Sequence, residues 1–150
     1  MTFPSLLMLE KNLPHAAGIG SGSSDAAATL TMLADFWDIP LLPADALPVV
    51  ALGADVPVCM SAPTPVRMSG IGDVITPVPA LPDCAMVLVR PPVDVPTGLV
   101  FAQLENKNGA PMAEIPADMD FAGFADWLAA QRNDLCAPAQ ALAPEITETL

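Results

Sequence analysis

A mixed fold of helices and strands is predicted by three features of this sequence. An apolar run, Leu6-Leu7-Met8-Leu9, leads into a Gly- and Ser-rich turn; a helix with an apolar stripe follows it directly; and a second apolar run, Cys84 to Val89, is closed by prolines. Taken in order, Ser5 to Leu13 reads as a strand that expects neighbours. Ser24 to Trp37 reads as a helix, because Ala26, Leu30, Leu33, Ala34 and Trp37 recur at steps of three and four and form a core-facing stripe. Ile39-Pro40 and Pro43 end it. Pro43 to Leu52 reads as a short second helix, provided that Pro48 falls in its first turn, where no backbone N–H is needed.

Asp83 to Val89 alternates into an apolar run and reads as a buried strand, closed by Pro91 and Pro92. Gln103 to Asp118 is polar and rich in breakers, with Asn106, Asn108, Gly109, Pro111 and Pro116, so it reads as a surface loop. A helix is expected from Phe121 to Gln131. Trp37, Trp127 and the methionines are assigned to packing. No internal repeat is visible.

The composition narrows the function. With 53% apolar residues in a chain of 150, the sequence is that of a globular protein with room for a sizeable core, despite 18 prolines and only 15% charged residues. A formal charge of −12 opposes nucleic acid, whose phosphates demand a basic face. No apolar run approaches the ~20 residues of a membrane span, and the first residues lack a basic leader, so the expectation is the cytoplasm, with no membrane partner. Cys59, Cys84 and Cys136 are an odd number at wide spacings, which fits reduced thiols and not a disulfide frame or a zinc site.

The chemistry is concentrated in Leu13 to Ala28, LPHAAGIGSGSSDAAA. Gly18, Gly20 and Gly22 lack a Cβ, so the backbone can take positive φ and press its N–H groups against an anion. Ser23, Ser24 and Asp25 offer helix N-cap chemistry, and Ala26 to Ala28 propagate the helix, so the loop discharges into a helix N-terminus with its unpaired N–H groups. No Gly-Lys-Ser/Thr follows, so this is not the Walker pattern. A dinucleotide fingerprint would need an acidic residue about twenty positions on, and Asp45, near that distance, sits in a Pro-rich segment. A flexible linker is the plain alternative, but an apolar run before the loop and a periodic helix after it give the context of a phosphate loop.

The scarcity of cations is consistent with a backbone cradle. Lys11, Arg67, Arg90, Lys107 and Arg132 are scattered along the chain, so phosphate must be held mainly by N–H groups and a bound metal. Asp55 follows Gly53 and precedes Pro57, at a turn expected to open a helix; it is either a carboxylate projecting into a cleft or a simple N-cap. His15, the single histidine, is taken as an exposed loop residue.

Pro14, then Gly18-Ile19-Gly20-Ser21-Gly22-Ser23-Ser24-Asp25-Ala26-Ala27, resembles the ATP-binding motif of the GHMP small-molecule kinases. Further blocks follow in the family's order: Leu52 to Pro57 resembles its catalytic-aspartate motif, Gly70-Ile71-Gly72-Asp73 with Thr76-Pro77 its Gly-Ile-Gly-Glu segment, and Val95-Pro96-Thr97 with Val100-Phe101 its Pro-Thr-x-x-Val-Phe segment. A weaker block, Asn133-Asp134-Leu135 with Pro144-Glu145-Ile146, fits the same order.

The resemblance implies an α+β fold of two lobes, the first like the second domain of ribosomal protein S5. Residues 1–79 would form part of the N-terminal, ATP-binding lobe and residues 80–150 part of the C-terminal lobe. It implies ATP and Mg²⁺, with Lys11, Pro14, Gly18, Ile19, Gly20, Ser21, Gly22, Ser23 and Ser24 at the nucleotide and Ser23 or Ser24 at the metal. Asp55 would act as catalytic base, and Thr97 and Phe101 would line the acceptor's cytidine and hydroxyl side. The family branch most similar in these blocks acts on a cytidine diphosphate-linked methylerythritol. Kinases of homoserine or mevalonate type, a non-catalytic nucleotide-binding remnant, and a fragment that never folds are the competing expectations.

Two departures bear on activity. Ser21 stands where glycine is usual, and Ala16-Ala17 enter a Gly-rich approach. The family's Lys-Ile-Asn-Leu strand, whose lysine lowers the pKa of the catalytic aspartate, its Asp-Gly-Tyr-His turn and its C-terminal Gly-rich motif have no counterpart in this sequence. Weak or no transfer by this polypeptide alone is therefore expected.

Overall fold

The computed structural model describes residues 6–12 and 18–150. Its longest element is α1, Ser21–Trp37, which starts three residues earlier than expected. The N-cap is Gly20, in the left-handed region at φ 67°, and Ser24 N–H makes the first helical bond to the Gly20 carbonyl at 2.9 Å. Ser23, Ser24 and Asp25, expected to cap, lie inside the first turns instead, because a positive-φ glycine lets the chain enter the helix without a side-chain cap. Asp38, also left-handed, ends α1 with its N–H on the Ala34 and Asp35 carbonyls.

The expected second helix narrows to α2, Leu47–Val50, with Pro48 in its first turn as its tolerance requires. After a turn comes α3, Val56–Met60, with Pro57 likewise placed. Ala27 of α1, Val49 of α2 and Val56 of α3 form a buried cluster, flanked by Ala26, Leu30, Ala46, Cys59 and Met60. This small core fixes the three helices against one another. Of the predicted stripe, Ala34 is buried and Leu33 half-buried, but Trp37 is exposed.

A hairpin that the sequence reading did not foresee follows: β1, Val66–Ser69, pairs antiparallel with β2, Val74–Pro77, in the register Val66 to Pro77 and Ser69 to Val74. Beyond it are α4, Thr97–Ala102; α5, Phe121–Ala129; α6, Cys136–Leu142; and α7, Glu145–Thr149. Asp120 caps α5, accepting from Gly123 N–H at 2.8 Å. The loop before α5 is irregular, as its composition predicts, and is tied down by donors from outside it. Arg67 of β1 donates to the Met112 carbonyl at 2.9 Å and pairs with Glu114, Arg132 reaches the Ala110 carbonyl, and Trp127 Nε1 donates to the Glu114 carbonyl at 3.2 Å. Trp127 stacks on Phe124 with ring centroids 6.0 Å apart.

Two expected strands are corrected. Residues 6–12 and Asp83 to Val89 are not in any ladder, and Met86 to Val89 are 68–84% exposed where burial was expected. A strand exists only through hydrogen bonds to a neighbour, and the ladder among the described residues joins β1 to β2 alone. The accessible surface, 11224 Å², exceeds the about 7,200 Å² of a closed monomer of this mass. The methionines share in this, since Met8 and Met86 stand in the open and do not pack.

Candidate active site

Two turns meet at the N-terminus of α1. In the first, Gly18 and Gly20 take φ of 69° and 67°, the conformation only glycine adopts freely, whereas Gly22 lies within the helix and does not need it. Ser21, Gly22 and Ser23 precede the first helical bond, so their N–H groups are open to an acceptor from outside the helix. The space beside Gly18, Gly20 and Gly22 is also open among the described residues, where a Cβ at any of them would meet nothing within 4 Å. Ile19 is exposed, and Ser24 lies at the mouth of a shallow groove between α1 and α3 that runs past Thr31 and Met32 to Cys59 and Met60. An anionic group fits this arrangement of free donors, open space and helix N-terminus.

The second turn carries Asp55. A Cβ at Gly53 would lie 3.8 Å from Ser23 Oγ and 3.7 Å from a Val56 methyl, which brings the Gly53-Ala54-Asp55 turn up against the first turn of α1. The cause is the core, since Ala27 and Val56 pack together one turn further in. Asp55 occupies the N-cap position of α3, but its side chain makes no capping hydrogen bond and is exposed. Its carboxylate is not spent on the helix. It reaches electrostatically one turn on, where burial first and the Asp55 charge second push the Cys59 thiol up from its ordinary pKa.

The Lys11 ammonium pairs with the Asp25 carboxylate on α1, both partly buried, which ties it to the helix that follows the loop. Asp25 lies inside α1 and does not cap it; a lone lysine just ahead of the loop is the signal in the sequence for this pair. Thr97 and Phe101 do share a face of α4, and Phe101 is 51% exposed, not a core residue. The packing partner of α4 is α6, and no hydrogen bond among the described residues joins Thr97 or Phe101 to the loop or to Asp55. Pro14 and His15 lie outside the described residues.

Among the described residues no three His, Cys, Asp or Glu converge as a metal cage. A divalent ion such as Mg²⁺ does not require one, because it is commonly held by one or two carboxylates or hydroxyls, the substrate's phosphates and water. Cys59, Cys84 and Cys136 are free thiols. No described helix is long and apolar enough to cross a membrane.

Comparison with known proteins places both turns within a family match. Residues 4–63, which include both turns, match the GHMP kinases N terminal domain. A 4-diphosphocytidyl-2-C-methyl-D-erythritol kinase of Cereibacter sphaeroides is 50% identical over 145 residues, 95% of this chain and 51% of that protein. One of Dinoroseobacter shibae is 52% identical over 95% of this chain and 48% of its own length, and one of Mesorhizobium japonicum is 43% identical over 99% and 50%. The chain thus spans about half the length of the curated relatives it matches. No solved structure matches it. Residues 4–63 thus match the N-terminal domain of the GHMP kinases, and nearly the whole chain is similar to 4-diphosphocytidyl-2-C-methyl-D-erythritol kinases.

Proposed function

We propose that this chain binds ATP at its Gly-rich loop and takes part in phosphorylation of the 2-hydroxyl of 4-diphosphocytidyl-2-C-methyl-D-erythritol, a step of non-mevalonate isoprenoid biosynthesis, in the cytoplasm. The observation that carries the reading is the closeness of the Gly53–Asp55 turn to Ser23, where a Cβ on Gly53 would lie 3.8 Å from the Ser23 hydroxyl, which sets an anion cradle beside an unspent carboxylate.

In phosphoryl transfer the protein mainly positions reactants and neutralises charge. The N–H groups of Ser21, Gly22 and Ser23 bind the phosphates, with Gly18 and Gly20 shaping the approach. The hydroxyls of Ser23 and Ser24 are the ligands this chain offers to Mg²⁺, which when bound neutralises phosphate charge. Asp55 orients the acceptor hydroxyl and takes its proton. Thr97 and Phe101 serve the acceptor, Phe101 by offering an exposed aromatic face to its cytosine. Lys11 acts through Asp25 and not on the nucleotide.

Transfer by this polypeptide alone is weak. Among the described ion pairs none places a lysine or arginine on Asp55, and no hydrogen bond among the described residues ties α4 to the loop. The same two facts favour nucleotide binding without transfer as the second reading. Asp55→Ala separates them: under the kinase reading, product formation from Mg-ATP and the acceptor, followed by mass spectrometry, disappears while ATP affinity stays within about twofold. Loss of ATP binding together with the fold would make Asp55 a structural residue.

A further inference from the structure

The Gly70-Ile71-Gly72-Asp73 block has no part in the account above, yet its turn rests on the Asp55 turn. Ser69 and Val74 close the β1–β2 ladder, Gly72 N–H donates back to the Ser69 carbonyl at 3.1 Å, and Ile71 N–H donates to Asp73 Oδ1 at 3.1 Å. The tip is therefore tied within itself. Gly72 has φ 100°, and a Cβ there would stand 2.2 Å from the Ala54 carbonyl oxygen, 2.8 Å from its carbon and 3.1 Å from its Cα. These are backbone atoms with no rotamer to swing aside, so any side chain at position 72 must displace either the tip or the Gly53-Ala54-Asp55 turn. Gly70 also has positive φ, at 67°, but a Cβ there would meet side chains and no backbone among its nearest atoms: the flexible Asp73 carboxylate, its oxygen at 2.4 Å, and a Val74 methyl at 3.7 Å.

From this contrast we propose that Gly72 is a positioning residue for Asp55: the hairpin tip sits on the Ala54 carbonyl and sets where the Asp55 turn stands beside the phosphate loop. The proposal rests on the reading of Asp55 as the base. A base must be held within hydrogen-bond reach of the hydroxyl, and a displacement of about 1 Å costs on the order of 100-fold in rate.

The test compares Gly72→Ala with Gly70→Ala in the full chain. In ¹⁵N–¹H spectra, Gly72→Ala is expected to move the amide resonances of Gly53, Asp55 and Val56, while Gly70→Ala confines its changes to the hairpin. In transfer from Mg-ATP, Gly72→Ala lowers kcat about 10- to 100-fold with the KM for ATP near its original value, and Gly70→Ala leaves kcat close to wild type. Unmoved Gly53 to Val56 resonances in Gly72→Ala, or equal kinetic losses in both variants, overturn the proposal. Deleting Ile71 withdraws the tip from Ala54 without adding a side chain and is expected to give the Gly72→Ala signature; wild-type spectra there overturn it even where Gly72→Ala fails to fold. A wild-type chain that shows no transfer counts against the kinase reading, and the spectra then decide the positioning.

Discussion

Replacing Gly20 by alanine isolates what the loop conformation is worth. Gly20 is the N-cap of α1 at φ 67°, and a Cβ there meets nothing within 4 Å among the described residues, so the substitution introduces no clash with them. What remains is the intrinsic cost of a left-handed L-residue, about 1–2 kcal/mol. That cost lowers the population of the binding-competent loop, and the apparent affinity for ATP falls by the same fraction, about 5- to 30-fold. Gly22→Ala is the matched control, because Gly22 lies in the helix with equal open space. It is expected to raise helix stability by about 0.5–1 kcal/mol, with the loop conformation kept. Calorimetric titration of each variant with Mg-ATP, alongside thermal melts, reads both effects. Equal ATP affinity in Gly20→Ala and wild type, with the fold intact, would refute the argument that the left-handed turn builds the cradle.

Other consequences can be checked in the same material. Lys11→Met and Asp25→Asn should each weaken ATP binding, and the double variant should add little, since the pair acts as one unit; the coupling of a partly exposed ion pair is about 0.2–1 kcal/mol in stability. Free adenosine should bind all of these variants alike, and a loss of adenosine affinity confined to Lys11→Met would return Lys11 to the nucleotide. Cys59 should alkylate more slowly than exposed Cys84 at mildly alkaline pH, and Asp55→Asn should accelerate it, because the Asp55 charge contributes to raising the thiol's pKa. A raised folded pKa means that the native state keeps the proton longer, so the stability from Cys59 is present below the unfolded thiol's pKa and is lost as pH rises through the folded one. The Arg132–Asp134 pair works in the opposite sense: the hydrogen bond from Arg132 holds the Asp134 carboxyl below its usual range. Its contribution is present above the ordinary carboxylate pKa and fades as pH falls through the folded value, an effect that Asp134→Asn should remove from acid titrations.

The parts of this fold that were legible in the sequence are those set by local chemistry. The Gly18–Gly20 spacing and the alanine run mark the glycine turn and the body of α1, and the polar stretch from Gln103 and the Asp120-capped α5 need no distant partner to form. The start of α1 departs from the expected Ser24 because serine and aspartate are the usual caps, while a left-handed Gly20 admits the helix three residues earlier. Residues 6–12 and 83–89 carry strand patterns, but a pattern supplies no neighbour, and the paired strands are instead Val66–Ser69 and Val74–Pro77, whose turn had been read only as a motif block. The short helices α6 and α7 left too little periodicity to detect. At the site, Asp55 and the serines were readable as residue types. That Gly53 stands beside Ser23, that Lys11 pairs with Asp25 and that Gly72 bears on Ala54 are approaches between distant positions, visible only once the chain is folded.

The most direct test of the loop-and-turn site is a titration of ¹⁵N-labelled chain with Mg-ATP, followed residue by residue. The account predicts saturable shifts concentrated at Gly18 to Ser24 and at Gly53 to Asp55, with those of α5 to α7 unmoved. Saturation without movement at the loop, or no binding at all, would contradict it.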